Sequence, residues 1–183
     1  MKTYVLIAGV NGAGKSTLYQ TLNYLKQMKR INTDEIVRSF GDWRNAQDVI
    51  KAGKQAVRTI NEYFIKGISF NQETTLCGNS IIRNIKRAKR LGYQIELHYV
   101  GVDSVQIAKQ RIAHRVACGG HGIPDEDVER RYVESLSKLK EVINICNLTV
   151  LYDNTESFNR FAIYKNGELI RLFGKTPDWF DIP

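Results

Sequence analysis

Apolar residues come in two spacings along the chain, and the two alternate. Tyr4-Val5-Leu6-Ile7-Ala8 is a continuous apolar run that reads as a strand, and Leu18, Leu22 and Leu25 then recur at helical spacing. Lys29-Arg30-Ile31-Asn32 is a short strand candidate leading to Thr33-Asp34-Glu35, which sets two carboxylates just past a strand. Asp42 reads as the cap of a long helix with Val49, Ala52, Ala56, Ile60 and Phe64 on its inner face and Gly67 at its end. Ile68 to Leu76 is the next strand, and its close, Glu73-Thr74-Thr75, is polar, which suggests a site at the strand's carboxyl end.

The second half repeats the pattern. Ile81, Ile85 and Ala88 share a helix face opposite Arg83, Lys86, Arg87, Lys89 and Arg90, with Gly92 placed to stop the helix; the basic run reads as a solvated face. Tyr93, Ile95, Leu97 and Tyr99 alternate with Gln94, Glu96 and His98, so the stretch to Gly101 is a strand and His98 a structural residue. Asp103 or Ser104 caps a helix whose Val105, Ala108 and Ile112 face inward. A further helix carries Val128, Tyr132, Leu136, Leu139 and Ile143, and Leu148 to Tyr152 is the last central strand. Phe161–Lys165 and Glu168–Leu172 flank Asn166-Gly167, the signature of a tight hairpin. From Pro177 to Pro183 a tail either packs Trp179 and Phe180 or frays.

Between the first strand and helix lies Gly9-Val10-Asn11-Gly12-Ala13-Gly14-Lys15-Ser16-Thr17, which fits G-x-x-x-x-G-K-[ST]. Such a loop turns backbone N–H groups inward around phosphate oxygens, while its lysine reaches the β/γ end and its hydroxyl holds Mg²⁺. Asn11 to Thr17 are therefore the candidate nucleotide-binding residues, with Lys15 catalytic and Ser16 on the metal. The expected fold is α/β: a P-loop NTPase of nucleotide-kinase-like layout, with a largely parallel sheet, helices on both faces and a C-terminal hairpin, all in one domain over 1–183.

Composition narrows the class. With 183 residues and 43% hydrophobic content the chain can build one well-buried core. Its 27 Lys+Arg against 19 Asp+Glu give a formal charge of +8, suited to an anionic partner without choosing one. Cys77, Cys118 and Cys146 are odd in number and lack C-x-x-C spacing, so neither disulfides nor zinc are expected. No signal-peptide pattern or membrane-length apolar run is visible, and a cytoplasmic protein is the expectation.

Phosphoryl transfer needs a phosphate cradle, a metal, cations for the equatorial oxygens and a group that orients the nucleophile. Lys15, Ser16 and the loop amides supply the first two. Asp34 is the candidate base for a substrate hydroxyl, or else a simple cap. Glu73 and Thr75 are candidate substrate contacts, or Glu73 pairs with a nearby cation. Gly119, Gly120 and Gly122 around His121, before Pro124 and the acidic turn Asp125-Glu126-Asp127, look like a hinged lid spanning about 111–131. Arg115, His121 and Arg131 belong to it with Arg111 at its start, the arginines as mobile cations, or Arg111 and Arg115 as solvated helix surface.

Together, Gly9–Thr17, Asn32-Thr33-Asp34-Glu35-Ile36, Glu73-Thr74-Thr75-Leu76 and Gly119–Pro124 resemble the zeta-toxin family of P-loop kinases, from the first strand through Tyr152-Asp153-Asn154. The resemblance implies ATP-dependent phosphorylation of a sugar hydroxyl of UDP-N-acetylglucosamine, often by a toxin held inactive by an antitoxin. It makes Lys15 the loop lysine, Asp34 the base, Glu73 and Thr75 the substrate-contacting strand end, and Arg111 the first lid arginine. Two positions depart: His121 stands where a second lid arginine is common, and Cys77 where the substrate loop carries an arginine. The expected ligands are thus ATP or GTP with Mg²⁺ and a hydroxyl-bearing acceptor, with an antitoxin as a possible partner and no membrane. The alternatives are another P-loop kinase for a nucleoside, sugar or antibiotic, and a nucleotide-dependent switch or nucleic-acid-binding module. The last lacks an aromatic-interleaved basic motif, so nucleic acid is not the expected partner.

Overall fold

A computed structural model describes residues 1–180. Its seven-stranded sheet has the order β2-β3-β1-β4-β5-β6-β7. The strands are β1 (Thr3–Ala8), β2 (Lys29–Ile31), β3 (Phe70–Thr74), β4 (Gln94–Gly101), β5 (Leu148–Asp153), β6 (Asn159–Lys165) and β7 (Glu168–Leu172). β2 through β5 pair in parallel around the central β1, and β6 and β7 add antiparallel at one edge. Strand alternation explains why β1 is apolar throughout. Tyr4, Leu6 and Ala8 pack on one side of the sheet with Ile60, Phe64, Ile85 and Leu139, while Val5 and Ile7 pack on the other with Leu18, Ala108 and Ile112.

The helices are α1 (Lys15–Thr21), α2 (Asn23–Lys26), α3 (Thr33–Arg38), α4 (Ala46–Lys66), α5 (Asn79–Arg90), α6 (Val105–Ala117) and α7 (Asp125–Ile145). The two clusters place α4, α5 and α7 over one face and α1 and α6 over the other. Gly67 ends α4 at φ 65°, and Ser104, one of the two caps the sequence allowed, accepts the Ile107 N–H to start α6. Among the described residues no helix is long and apolar enough to cross a membrane.

Several local expectations are corrected. Asn45, not Asp42, caps α4, its side chain accepting the Gln47 N–H, while Asp42 is used in the preceding turn, where it accepts the Arg44 N–H. Val49 consequently lies on the solvent side of the first turn. The helix after the P-loop breaks at Leu22, and the second piece turns Leu25 into the core. Asp34 and Glu35 do stand just past a strand, and the short α3 that holds them was not foreseen: Asn32 caps it by accepting the Asp34 and Glu35 N–H groups, so both acids sit in a helix's first turn. β3 closes at Thr74, leaving Thr75 just outside it. Next comes Leu76, fully buried at φ 65°, a conformation unusual for a branched residue, which turns the chain away from the sheet edge.

The hairpin forms as its Asn-Gly pair requires, with φ 52° at Asn166 and 85° at Gly167. Of the tail, the described part packs: Trp179 donates to Asp153, and Phe180 lies against Phe161 with ring centroids 5.2 Å apart. Asp181 to Pro183, the rest of that expected tail, lie outside the described residues.

Candidate active site

The P-loop follows β1 at the carboxyl edge of the parallel strands, where open α/β sheets bind ligands. Its glycines are set by close approaches. A Cβ on Gly12 (φ 79°) would stand 2.6 Å from the Ala108 carbonyl oxygen, and one on Gly14 (φ 104°) 2.5 Å from the Asn154 amide nitrogen. The loop is thereby pressed against α6 on one side and the end of β5 on the other. Asn154 donates to the Ala13 carbonyl at 2.8 Å, and Arg131 donates to Asn11 at 3.3 Å.

Lys15 folds back over the loop, its Nζ 2.9 Å from the Val10 carbonyl, and is only 8% exposed. Burial pulls its pKa below the usual lysine value; the Glu73 and Asp34 carboxylates oppose that, and the Arg115 charge adds to it. Ser16 is exposed, with its hydroxyl 3.4 Å from Glu73 Oε1. Thr17 points to solvent on the first turn of α1.

Strand register brings the acceptor-side candidates level with the loop, since Ile7 lies opposite Glu73 and Ala8 opposite Thr74. Glu73 is firmly held: Arg30 donates to its Oε2 at 2.7 Å and Asn32 at 3.0 Å. Arg30 also donates to both oxygens of Glu35 at 3.0 and 3.1 Å and stacks on the Tyr19 ring, its guanidinium carbon 3.6 Å from the ring centroid. The paired-carboxylate reading of Glu73 is thus the geometry found, and its Oε1 edge toward Ser16 is what remains for a ligand. Asp34 differs: half-buried, its carboxylate takes no hydrogen bond from the described residues, and its charge bears on both Lys15 and His121. The Thr75 hydroxyl is likewise without a hydrogen bond to them, beside Cys77, whose thiol donates to the Thr75 carbonyl at 3.5 Å.

Opposite, α6 presents Arg111 and Arg115. Neither is solvated surface. Arg111 donates through Nη2 to the Thr155 carbonyl at 3.0 Å, and its Nη1 is buried without a partner, as are Nε and Nη2 of Arg115. His121 does not stand free in the connector: its ring packs 4.7 Å from that of Trp43, in the turn before α4. Burial lowers the His121 pKa, Asp34 opposes this, and Arg115, Arg131 and Arg38 reinforce it, so the imidazole is neutral at pH 7. His98 is a core residue between Tyr24 (2.9 Å) and Tyr152 (3.1 Å). The three cysteines are free.

Sequence reasoning missed Arg30, Asn32, Trp43 and Asn154. Asn32 carried a signal, an Asx residue two before Asp34 and three before Glu35, in the N-cap spacing. The others lie in a three-residue strand, a turn and a strand exit, none with a pattern of its own.

No group of three or more His, Cys, Asp or Glu suited to a metal ion occurs among the described residues. A divalent cation would therefore depend on Ser16 and on oxygens brought by a nucleotide, the manner in which Mg²⁺ is commonly held with substrate phosphates. The glycine-lined cradle, the exposed Ser16 hydroxyl and the unpartnered guanidinium atoms fit a nucleotide polyphosphate with its metal.

Comparison with known proteins agrees with this arrangement. The sequence profile of the zeta toxin family matches residues 1–176. An uncharacterised protein of Haemophilus influenzae is 36% identical over 128 residues, covering 70% of this chain and 91% of that one. Among solved structures, AvrRxo1-ORF1:-ORF2 with ATP superposes with a TM-score of 0.75 at 18% identity over 92% of this chain, which spans 60% of the length of that one. The PezAT chromosomal toxin–antitoxin system of Streptococcus pneumoniae superposes with a TM-score of 0.62 at 18% identity, over 86% of this chain and 70% of that one. At such identity these structures speak to the fold.

Proposed function

The chain belongs to the zeta toxin family, and on that footing we propose that it is an ATP-dependent phosphotransferase acting on a hydroxyl of a nucleotide sugar such as UDP-N-acetylglucosamine. The observation that carries the reading is Asp34: an unpaired, half-buried carboxylate at the same sheet edge as the lysine of a phosphate-binding loop. A structural carboxylate there would be expected to find a partner, as Glu73 does with Arg30 and Asn32.

In this reading the loop amides and Lys15 hold the donor phosphates, and Ser16 would hold Mg²⁺, which would supply positive charge to the phosphates. Glu73 and Thr75 orient the acceptor. The acceptor hydroxyl oxygen bonds to the γ-phosphorus, the bond from that phosphorus to the β–γ bridging oxygen breaks, ADP leaves, and the hydroxyl proton passes to Asp34. The segment of about 111–131, hinged at its glycine-rich connector, acts as a lid that excludes water, with Arg111, Arg115, His121 and Arg131 as its phosphate-facing residues. A cytoplasmic setting and restraint by an antitoxin belong to the same proposal, the latter supported by the likeness to the PezAT toxin–antitoxin structure.

A second reading, phosphorylation of another small hydroxyl compound, is favoured by Cys77 and the neutral His121, which leave the acceptor side with less positive charge than the family pattern. The test is incubation of purified protein with Mg-ATP and a panel of nucleotide sugars and simpler alcohols, with mass-spectrometric detection of an added phosphate. Phosphate on UDP-N-acetylglucosamine supports the first reading. Its absence there, with phosphate on another compound, replaces the first by the second.

A further inference from the structure

Asp153 to Thr155, where the chain leaves β5, is a point at which four parts of the molecule meet. The Asn154 N–H donates to the Gly101 carbonyl at the end of β4 at 3.0 Å, and the Asn154 side chain donates to the P-loop at Ala13. The Thr155 carbonyl accepts from Arg111 on α6, and its hydroxyl oxygen accepts the Asp103 N–H at 3.0 Å. The fourth part is the tail: Trp179 Nε1 donates to Asp153 Oδ1 at 2.8 Å, and the Thr155 hydroxyl donates to the same oxygen at 2.7 Å. One carboxylate oxygen thus ties the tail to the residue that receives Arg111, and the residue that grips the P-loop lies between them.

The indole is seated for this contact. A hydrogen bond from the Phe180 N–H to the Pro177 carbonyl, 3.0 Å, closes the turn that carries Trp179. The ring lies so close to Gly101 that a Cβ there would stand 2.2 Å from Trp179 Cζ2, so the end of β4 can receive it only as glycine. Tyr99 and Phe161 flank it, with ring centroids 5.9 and 5.6 Å away. Packing alone asks only for a ring, whereas an indole adds an N–H that needs a partner when buried, and here that donor goes to the strand exit. The zeta toxin profile matches residues 1–176, so the contact is made from outside the matched part of the chain.

We infer that Trp179 is a positioning residue for nucleotide binding: by fixing Asp153 it sets the strand exit from which Asn154 holds the P-loop and Thr155 holds Arg111. This rests on the phosphotransferase reading. Without the indole N–H, Asp153 keeps only the Thr155 hydroxyl and turns toward water, Asn154 and Thr155 shift with it, and the loop amides and Arg111 lose their common alignment. ATP and ADP both depend on that loop, so both bind more weakly.

The experiment titrates wild type and variants with Mg-ATP and Mg-ADP by calorimetry, at a temperature where all are folded, and follows thermal unfolding of the free proteins. Trp179→Phe keeps a ring and loses the N–H, and it should weaken both nucleotides by about three- to tenfold, as fits the loss of one hydrogen bond to a charged group acting on the site through its neighbours. Val142→Ala, a truncation in the core on α7, should lower the melting temperature and leave both affinities unchanged, which separates positioning from stability. Asp153→Asn, which keeps an oxygen for Trp179 and Thr155, should retain more affinity than Asp153→Ala, and the losses of Trp179→Phe and Asp153→Ala should not add in the double variant. Unchanged affinity in Trp179→Phe, an equal loss in Val142→Ala, or additive losses in the double variant overturns the inference and leaves Trp179 a packing residue. If wild type binds neither nucleotide, the phosphotransferase reading fails and the inference falls with it, an outcome distinct from normal wild-type binding with an unaffected Trp179→Phe.

Discussion

Two arginines on opposite sides of the candidate site have opposite surroundings. Arg30, on β2, is saturated: Glu35, Glu73 and Asn71 accept from it and Tyr19 stacks beneath it. Arg115, on α6 in the candidate site, has buried Nε and Nη2 atoms with no partner among the described residues. In the proposed reaction the acceptor side is a finished polar network in which one carboxylate, Asp34, is left over among the described residues, whereas the donor side is a set of cations for which ATP would be the anion. A network complete in itself contributes to the fold, and cations left open lower its stability until a ligand arrives.

Mutation should separate the two sides. Lys15→Ala removes the deepest donor-side cation, and both nucleotide binding and turnover should fall, turnover beyond detection, with the fold intact by circular dichroism. Normal turnover would take the loop out of the chemistry. On the acceptor side, Asp34→Asn should lose roughly 10²–10⁴-fold in turnover while binding ATP normally by calorimetry, the usual range for a positioned general base. A variant that binds ATP poorly would make Asp34 a donor-side residue.

Stability measurements sharpen the contrast further. Arg30→Met strands the nearly buried Glu73 carboxylate, and removal of one partner from a buried pair costs about 3–5 kcal/mol. Since Asn32 still donates to Glu73, the lower end is expected in urea unfolding. Arg115→Gln, which removes a group with no partner among the described residues, should melt no lower than wild type, so the two arginine deletions would differ in their cost to stability. Equal destabilisation by both would erase the distinction.

A smaller effect comes from a third polar cluster, away from either side. Burial pushes His98 from its ordinary 6.5 down to about 4, with Glu96 4.0 Å from its Nε2 and the Tyr24 and Tyr152 hydroxyls at its two nitrogens. A depressed folded-state pKa means the unfolded chain takes the proton first. The stability contributed by neutral His98 is thus whole above pH 6.5, drains away as pH falls toward 4, and amounts to about 3 kcal/mol. His98→Asn should flatten this part of the stability–pH curve; an unchanged slope between pH 6.5 and 4 would assign it to other groups.

The layout of the sheet, its two-sided burial and the hairpin were legible because each depends on a repeating local pattern: the apolar run of β1, the alternation in β4, the Asn-Gly turn. The phosphate loop was legible because its chemistry requires particular residues at particular spacings. What escaped was cooperation at long range. Arg30 and Glu73 are 43 residues apart, and nothing near either one announces the other. The α4 cap went to Asn45 because the turn before it, shaped around Trp43 and His121, consumed Asp42, a demand set by the connector nearly eighty residues on. Asp34 was found for its chemistry and its place past β2, while the helix that holds it was missed, since a helix of six residues is too short to show a period.

The bond from Asn154 to Ala13 joins residues 141 positions apart. During synthesis the phosphate loop emerges well before Asn154, and β1 must wait for β3 and β4 to flank it. Its last clamp arrives only after Asn154 has been translated, and the Trp179 that holds neighbouring Asp153 comes later still. A nascent chain on the ribosome thus carries its phosphate loop long before that loop is braced, and firm nucleotide binding should wait until Asn154 has been made.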